Sequence, residues 1–92
     1  MKIKALPYIG EFLGTFLLVL SILMSNGNAV FAGLTLTFVI WFGGSLSGAH
    51  VNPALSIVKY LTGKLTSFEL SGYIASQIAG AITSAYVMKI FA

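Results

Sequence analysis

The feature that most constrains this chain is a run of twenty residues near its amino end, ALPYIGEFLGTFLLVLSILM, which is almost entirely apolar. A helix of that length rises ~30 Å, the thickness of the hydrocarbon layer of a bilayer. Only 8% of the residues in the chain are charged, against about 25% in an ordinary soluble domain. A soluble chain this apolar lacks the polar groups to cover its own surface. The run therefore predicts a membrane-spanning helix over about 5–24.

A second apolar stretch follows a short Asn- and Gly-rich turn. Its fourteen residues, 29–42, give a helix of only ~21 Å, which reaches farther by continuing through Gly43 and Gly44. We therefore expect a second span over about 29–44.

The last apolar stretch predicts a third span over about 67–91, which is long enough to cross with tilt. Ser67 is expected to cap this helix, because a Ser hydroxyl can accept from the free N–H groups of a first turn. Small residues recur along it at every fourth position: Gly72, Ser76, Gly80 and Ser84. This spacing predicts a face for close helix packing, as do Gly10 and Gly14 on the first helix.

A cleaved signal peptide is the alternative interpretation of the first apolar run, since Lys2 and Lys4 precede it, but the run is too long and lacks an Ala-x-Ala site.

The composition of the chain excludes several function classes. The absence of Cys excludes disulfides and thiolate chemistry. A net charge of +3 on scattered lysines is too small for nucleic-acid binding. One His and two distant Glu make neither a metal site nor a catalytic carboxylate pair, so no metal, cofactor or enzymatic activity is expected.

A polar, helix-breaking segment, GGSLSGAHVNPALS, interrupts the apolar chain at residues 43–56. Pro53 suits the first turn of a helix and Asn52 suits the cap before it, but the eight residues that follow Pro53 rise only ~12 Å. Backbone that is irregular at membrane depth must be buried in protein or line a wet cavity. We therefore predict a re-entrant loop and half-helix over about 45–61, in which the carbonyls of Gly43, Gly44, Gly48 and Ala49 can face a file of water.

The lysines predict the orientation of the chain. Four lysines fall on the side of the amino terminus and one on the other side: Lys2, Lys4, Lys59 and Lys64 against Lys89. Because cytoplasmic loops carry the excess of basic residues, an integral, multi-pass protein with a cytoplasmic amino terminus is expected. The excess is only three lysines, so mixed insertion in both directions stays open.

The segment SGAHVNPA resembles the first Asn-Pro-Ala signature of the aquaporin and glycerol-facilitator family. Three other segments are similar to the family's first, second and third helices, in the same order: GEFLGTF, AGLTLTF and YIASQIAGA. The resemblance covers nearly the whole chain, but only the amino-terminal half of the family's fold. Members of the family contain two such halves, inverted across the membrane. The resemblance thus implies an all-α membrane protein with three spans and one half-helix.

The resemblance also implies a pore and its residues. The signature lies at the centre of the pore: Asn52, Pro53 and Ala54. Backbone carbonyls lead to it: Gly48, Ala49, His50 and Val51. Uncharged side chains form each pore mouth, Ala32 of one copy together with Ile40, Ala49 and Leu55 of a second, inverted copy. Leu55 stands where the family's second half carries the Arg of its filter. Glu11 and Gln77 are expected to brace the loop by hydrogen bonds, with a proton relay as the alternative role of Glu11.

Half a fold needs a second half to close a pore. The implied function is passive conduction of water or small neutral solutes such as glycerol, with the pore completed by a second, inverted copy; a tetramer of such pores stays open. The sequence also leaves room for a separate partner chain as the second half, for a piece of a longer protein, and for a non-conducting structural or regulatory membrane module.

Overall fold

The computed structural model describes residues 4–91, which form four helices and no strand. In chain order the helices are α1 (Leu6–Met24), α2 (Ala29–Ser47), α3 (Pro53–Leu61) and α4 (Ser67–Phe91). Three of them, α1, α2 and α4, are long and apolar enough to cross a membrane. The nine residues of α3 rise ~14 Å, less than half of the hydrocarbon layer. The prediction of an all-α membrane protein is confirmed.

The turn between α1 and α2 is short because two of its residues take left-handed backbone conformations, Asn26 with φ 55° and Gly27 with φ 76°. Asn28 then caps α2, since its Oδ1 accepts a hydrogen bond from the N–H of Phe31 at 2.9 Å. This cap satisfies one of the free N–H groups at the start of the helix and fixes where α2 begins.

The end of α2 differs from the prediction. The helix runs through Gly43 and Gly44 to Ser47, so their carbonyls belong to the helix and do not face a water file. Gly48 ends it with φ 84°, and its N–H donates to the carbonyl of Gly44 at 3.0 Å. Within the polar segment 43–56 only residues 48–52 are irregular, and we call them the re-entrant loop.

The helix α4 begins at the predicted residue, Ser67, but its capping residue differs from the prediction. Thr66, rather than Ser67, is the cap, and it forms a reciprocal pair with Glu69. The N–H of Thr66 donates to Glu69 Oε1 at 2.9 Å, and the N–H of Glu69 donates to Thr66 Oγ1 at 3.1 Å. This capping box satisfies two free donors at once, which a cap by Ser67 would not do.

In the packed structure α1 lies between α2 and α4, and α3 packs against α4. Glycines let the helices approach: a Cβ on Gly80 would overlap the backbone carbonyl of Phe12, and a Cβ on Gly72 would overlap the ring of Tyr8. Within residues 4–91 the backbone of α2 comes close to that of neither α3 nor α4, and α2 is joined to α4 by the hydrogen bond from the Tyr73 hydroxyl to the carbonyl of Ser47. The re-entrant loop connects the end of α2 to α3, and its two end residues, Gly48 and Asn52, are exposed.

Candidate functional site

The re-entrant loop has an unusual backbone. Gly48, Ala49 and Val51 all have positive φ, at 84°, 48° and 46°. Only Gly takes this region freely, and for a β-branched residue such as Val51 it is a genuine outlier. Ala49 and Val51 therefore each cost about 1–3 kcal/mol, and such residues persist only where the surroundings enforce the conformation. The contacts that hold the loop are therefore central to the site.

Glu11 of α1 supplies most of these contacts. Its carboxylate is fully buried and accepts four hydrogen bonds from three parts of the chain. Oε2 accepts from Ser47 Oγ at 2.5 Å and from the N–H of His50 at 3.0 Å. Oε1 accepts from the N–H of Val51 at 2.8 Å and from Gln77 Nε2 at 2.8 Å. One side chain thus ties the end of α2, the loop and α4 together, and bonds to a charged acceptor are the stronger kind.

A second set of bonds continues from Gln77 to the half-helix. Gln77 Nε2 also donates to Ser56 Oγ at 2.9 Å, and Ser56 Oγ lies 2.9 Å from His50 Nδ1. The hydroxyl of Tyr73 donates to the carbonyl of Ser47 at 2.7 Å. The ring of Tyr73 also lies 4.8 Å from that of His50, centre to centre. These bonds fix α3 against α4 and hold the His50 ring in one place.

Two glycines form notches that receive side chains of the loop. A Cβ on Gly14 would lie 2.7 Å from Cγ1 of Val51, and a Cβ on Gly43 would lie 3.3 Å from Cβ of Ala49. Val51 therefore fits against α1 and Ala49 fits against α2. The burial of these two side chains, together with the bonds to Glu11, stabilises the loop's left-handed residues.

We expect the substitution Gly14→Ala to displace the loop. The added methyl must move Val51 or Val39, whose Cγ1 atom would lie 3.0 Å away, and overpacking of this kind costs typically 1–3 kcal/mol. Thermal unfolding of the purified protein in detergent measures the loss. The double variant Gly14→Ala with Val51→Ala should recover part of it, because it removes the clashing atom. Equal losses in the single and double variants would contradict the proposed contact.

The loop separates its donors from its acceptors. The N–H groups of His50 and Val51 are both bound to Glu11. The carbonyls of residues 48–51 accept no hydrogen bond from any residue in 4–91. Asn52 follows and caps α3, with Oδ1 accepting from the N–H of Ala54 at 2.8 Å. Its side-chain NH₂ is unbonded within the described residues and the residue is exposed. The site therefore presents a row of free acceptors that ends in one free amide donor.

The residues predicted for the pore mouth are spread over separate elements. Ile40 of α2 is 50% exposed and Leu55 of α3 is 39% exposed, whereas Ala32 of α2 is half-buried. Ala49 is only 5% exposed, so its carbonyl rather than its methyl is available to a pore. Since the backbones of α2 and α3 do not approach each other closely within residues 4–91, one chain does not gather these residues into a ring.

Three residues of the bonded network were missed by the sequence reasoning: Ser47, Ser56 and Tyr73. The sequence could have indicated Tyr73, because it precedes Gln77 by four positions and so lies on the same face of α4. Ser56 follows Asn52 by four positions on α3 and is fully buried, where it bonds to Gln77. No sequence pattern could have indicated Ser47, since its role depends on where α2 ends.

Three spans, one half-helix and a braced re-entrant loop define an integral membrane protein with half of an aquaporin-like fold. The chain belongs to the major intrinsic protein family, which matches residues 3–92. The resemblance that the sequence motifs suggested is therefore confirmed.

The chain is similar to curated relatives from bacteria and plants. It is 33% identical over 92 residues to a glycerol uptake facilitator protein-like 6 of Lactiplantibacillus plantarum, covering 91% of this chain and 43% of the relative. It is 36% identical over 89 residues to the aquaglyceroporin AqpS of Rhizobium meliloti, covering 80% and 38%. It is 34% identical over 99 residues to an aquaporin Z of Photorhabdus laumondii, covering 89% and 42%. The chain thus spans less than half the length of these relatives, and no solved structure matches it significantly.

Proposed function

We propose that this chain conducts water and small neutral solutes such as glycerol passively across a membrane. The observation that carries the proposal is the row of unbonded carbonyls at residues 48–51, which ends at the unbonded NH₂ of Asn52. Lys59 and Lys64 are charged, so the carboxyl end of α3 is favoured near the membrane surface. Because α3 is ~14 Å long, Asn52 at its other end then lies near the middle of the bilayer. Lipid cannot satisfy polar groups there, and a file of water or hydroxyl groups can.

A second copy in inverted orientation completes the pore in this proposal. The separation of α2 from α3 within residues 4–91 supports it, because the two helices that carry the predicted pore-mouth residues do not come together in one chain. A two-fold axis in the membrane plane would bring Asn52 of one copy to Asn52 of the other, as in inverted-repeat transporters. The lysine excess on one side favours a cytoplasmic amino terminus for the larger share of the copies. The inverted share supplies the partners, and several such pores can assemble side by side into a tetramer.

The chemistry of the site supports neutral, hydroxyl-bearing solutes. The free carbonyls accept hydrogen bonds and Asn52 donates them, so a hydroxyl group finds both kinds of partner. The amino end of α3 carries a partial positive charge of ~0.5 that disfavours cations, and a second copy doubles it at the same depth. The sequence contains no Arg, and Leu55 and Ile40 add no charge at the mouth. A wide apolar mouth favours glycerol over strict selection for water.

The function is tested by osmotic swelling of proteoliposomes that contain the purified chain. We expect faster volume changes than in empty vesicles, for water and for glycerol, with no proton or cation leak. Vesicles that respond like the empty control for both solutes would refute conduction and favour the non-conducting membrane module.

The inverted partner is tested separately by labelling. The chain contains no Cys, so single Cys residues at the two termini can be labelled from each side of intact cells. Labelling of each terminus from both sides supports the inverted copy. One-sided labelling together with swelling would instead assign the second wall to a different chain.

The substitution Asn52→Asp is expected to lower solute flux at least tenfold while the fold persists. A carboxylate still caps α3 by accepting from the N–H of Ala54, but it removes the free donor and adds a charge in the bilayer, which costs about 2.5–3.5 kcal/mol on insertion scales. The matched control is Asn28→Asp, which changes an equivalent cap at the start of α2. Swelling rates measure both variants. Equal rates for Asn52→Asp and the unmodified chain would remove Asn52 from the pore.

A further inference from the structure

A shallow groove lies between the first turns of α1 and α4, apart from the re-entrant loop. It is lined by one residue of α1 and five of α4: Tyr8, Phe68, Ser71, Gly72, Ala75 and Ser76. These α4 residues lie on a different face of the helix from Tyr73 and Gln77, which bond to the end of α2 and to α3. The groove is therefore on the outer wall of the bundle and separate from the proposed pore.

The walls of this groove suit a hydrocarbon chain. Both of its serine hydroxyls are already bonded within α4. Ser71 Oγ donates to the carbonyl of Phe68 at 2.7 Å, and Ser76 Oγ donates to the carbonyl of Gly72 at 2.7 Å. Because neither hydroxyl needs water, an apolar occupant leaves neither of them without a partner. The ring of Phe68 is 61% exposed and forms an aromatic wall that such an occupant would cover.

One end of the groove is basic. The contacts of α1 with α4 show that the two helices run in the same direction, so both amino ends lie at the same membrane surface. Each helix has an exposed lysine four positions before its first residue in the groove. Lys4 precedes Tyr8, and Lys64 precedes Phe68. An occupant that combines an apolar chain with an anionic group at this end therefore complements the groove.

Charge decides which apolar occupant fits. The chain has two acids, of which Glu11 is fully buried and Glu69 is engaged in the cap of its own helix by the N–H of Thr66. A second copy of the chain therefore offers no free acid to Lys4 and Lys64. A phospholipid with an anionic headgroup offers a phosphate for the lysines and an acyl chain for the groove. Such lipids are concentrated in the cytoplasmic leaflet, where the sequence predicts this end of the chain to lie.

We propose that the groove binds one acyl chain of an anionic phospholipid, with the phosphate between Lys4 and Lys64. The lipid then joins the first turns of α1 and α4 at the membrane surface. This site does not depend on conduction, because the groove is separate from the proposed pore. Failure of the lipid site and failure of conduction are therefore distinguishable.

The headgroup contact is tested by native mass spectrometry of the purified chain with dioleoylphosphatidylglycerol, which is anionic, or dioleoylphosphatidylcholine. We expect the anionic lipid to bind about thirtyfold more tightly, at roughly fivefold for each lysine. Lys4→Gln and Lys64→Gln should each lose about fivefold of this preference. The matched control is Lys59→Gln, which removes a lysine of the same membrane side but on α3, and it should keep the preference. Equal binding of the two lipids, or an equal loss in Lys59→Gln and Lys64→Gln, would overturn the proposal.

The substitution Ala75→Leu tests the groove itself. Ala75 is exposed, so the larger side chain has room and takes space that the acyl chain would fill. We expect both lipids to bind about tenfold more weakly, the equivalent of about two methylene groups that lose their contact. The control is Ala85→Leu, which enlarges an exposed alanine of α4 outside the groove and should leave binding unchanged. Full binding in Ala75→Leu would show that the lysines act without the groove, against the proposal.

Photocrosslinking of the unmodified chain covers the case in which a variant fails to fold. A phosphatidylglycerol that carries a diazirine in its acyl chain is mixed into phosphatidylcholine vesicles containing the chain, and illumination labels whatever lies beside the diazirine. We expect the label on residue 8 and within residues 68–76. An even distribution of label along the three spans, or its absence from residues 68–76, would overturn the proposal.

Discussion

Replacing Glu11 by Gln is expected to release the re-entrant loop and to abolish solute flux. The carboxylate accepts two hydrogen bonds on each oxygen, from Ser47 and His50 on one side and from Val51 and Gln77 on the other. A Gln side chain has one oxygen and one NH₂ group, so whichever way it turns, its NH₂ faces a backbone N–H, that of His50 or of Val51, which cannot accept. At least one bond to a charged acceptor, worth about 1.5–3 kcal/mol, is lost, and the restraint on the left-handed residues Ala49 and Val51 weakens.

Thermal unfolding in detergent and swelling of proteoliposomes measure this effect. The matched control is Glu69→Gln, which changes the other acid of the chain. Gln can serve in the capping box of α4 as Glu does, so the control should change stability by less than about 1 kcal/mol and leave flux unchanged. If Glu11→Gln keeps the flux and stability of the unmodified chain, Glu11 does not hold the loop.

The substitution Gly80→Ala is expected to separate α1 from α4 and to destabilise the whole bundle. Its Cβ would overlap the carbonyl oxygen of Phe12 and lie 3.1 Å from the backbone nitrogen of Phe16. Backbone atoms cannot move aside as a flexible side chain can, so the two helices must shift apart. The shift also lengthens the bond from Gln77 to Glu11, and the combined loss should reach or exceed the usual 1–3 kcal/mol of overpacking.

Gly33→Ala is the control for this second prediction. Gly33 lies within α2, and a Cβ there has no neighbour within 4 Å. Ala is the better helix former by ~1 kcal/mol, so the control should leave stability equal or higher. Helix content and unfolding temperature from circular dichroism measure both variants. A loss of stability in Gly33→Ala as large as that in Gly80→Ala would mean that the close approach of α1 and α4 is not the cause.

The sequence predicts the helices well because each depends on local physics. The span near the amino end follows from the length of one apolar run. The start of α3 follows from Asn52 and Pro53, since the first caps a helix and the second fits its first turn. The closely packed small residues of α4 follow from their spacing of four, and Gly80 against α1 is one of these contacts.

The remaining features depend on tertiary contacts that no local pattern contains. Glycines at 43 and 44 indicate irregular backbone by propensity, yet α2 continues through them to Ser47. Gly43 lies inside the helix because a side chain there would crowd Ala49 of the loop. The positive φ of Val51 contradicts the preference of a β-branched residue, and it is stable because Glu11 and Gly14 hold it. The choice of Thr66 over Ser67 as a cap was decided by the position of Glu69, three residues after Thr66.

The four hydrogen-bond donors of Glu11 are synthesised after it and at different times. Gln77, one of its donors, lies 66 positions later, so at a translation rate of ~5–20 residues per second it is synthesised roughly 3–13 s after Glu11. The other three donors, at positions 47, 50 and 51, are made earlier, so the set is incomplete until Gln77 has been synthesised. The buried acid of α1 therefore gains its full set of hydrogen-bond donors only when α4 joins the bundle.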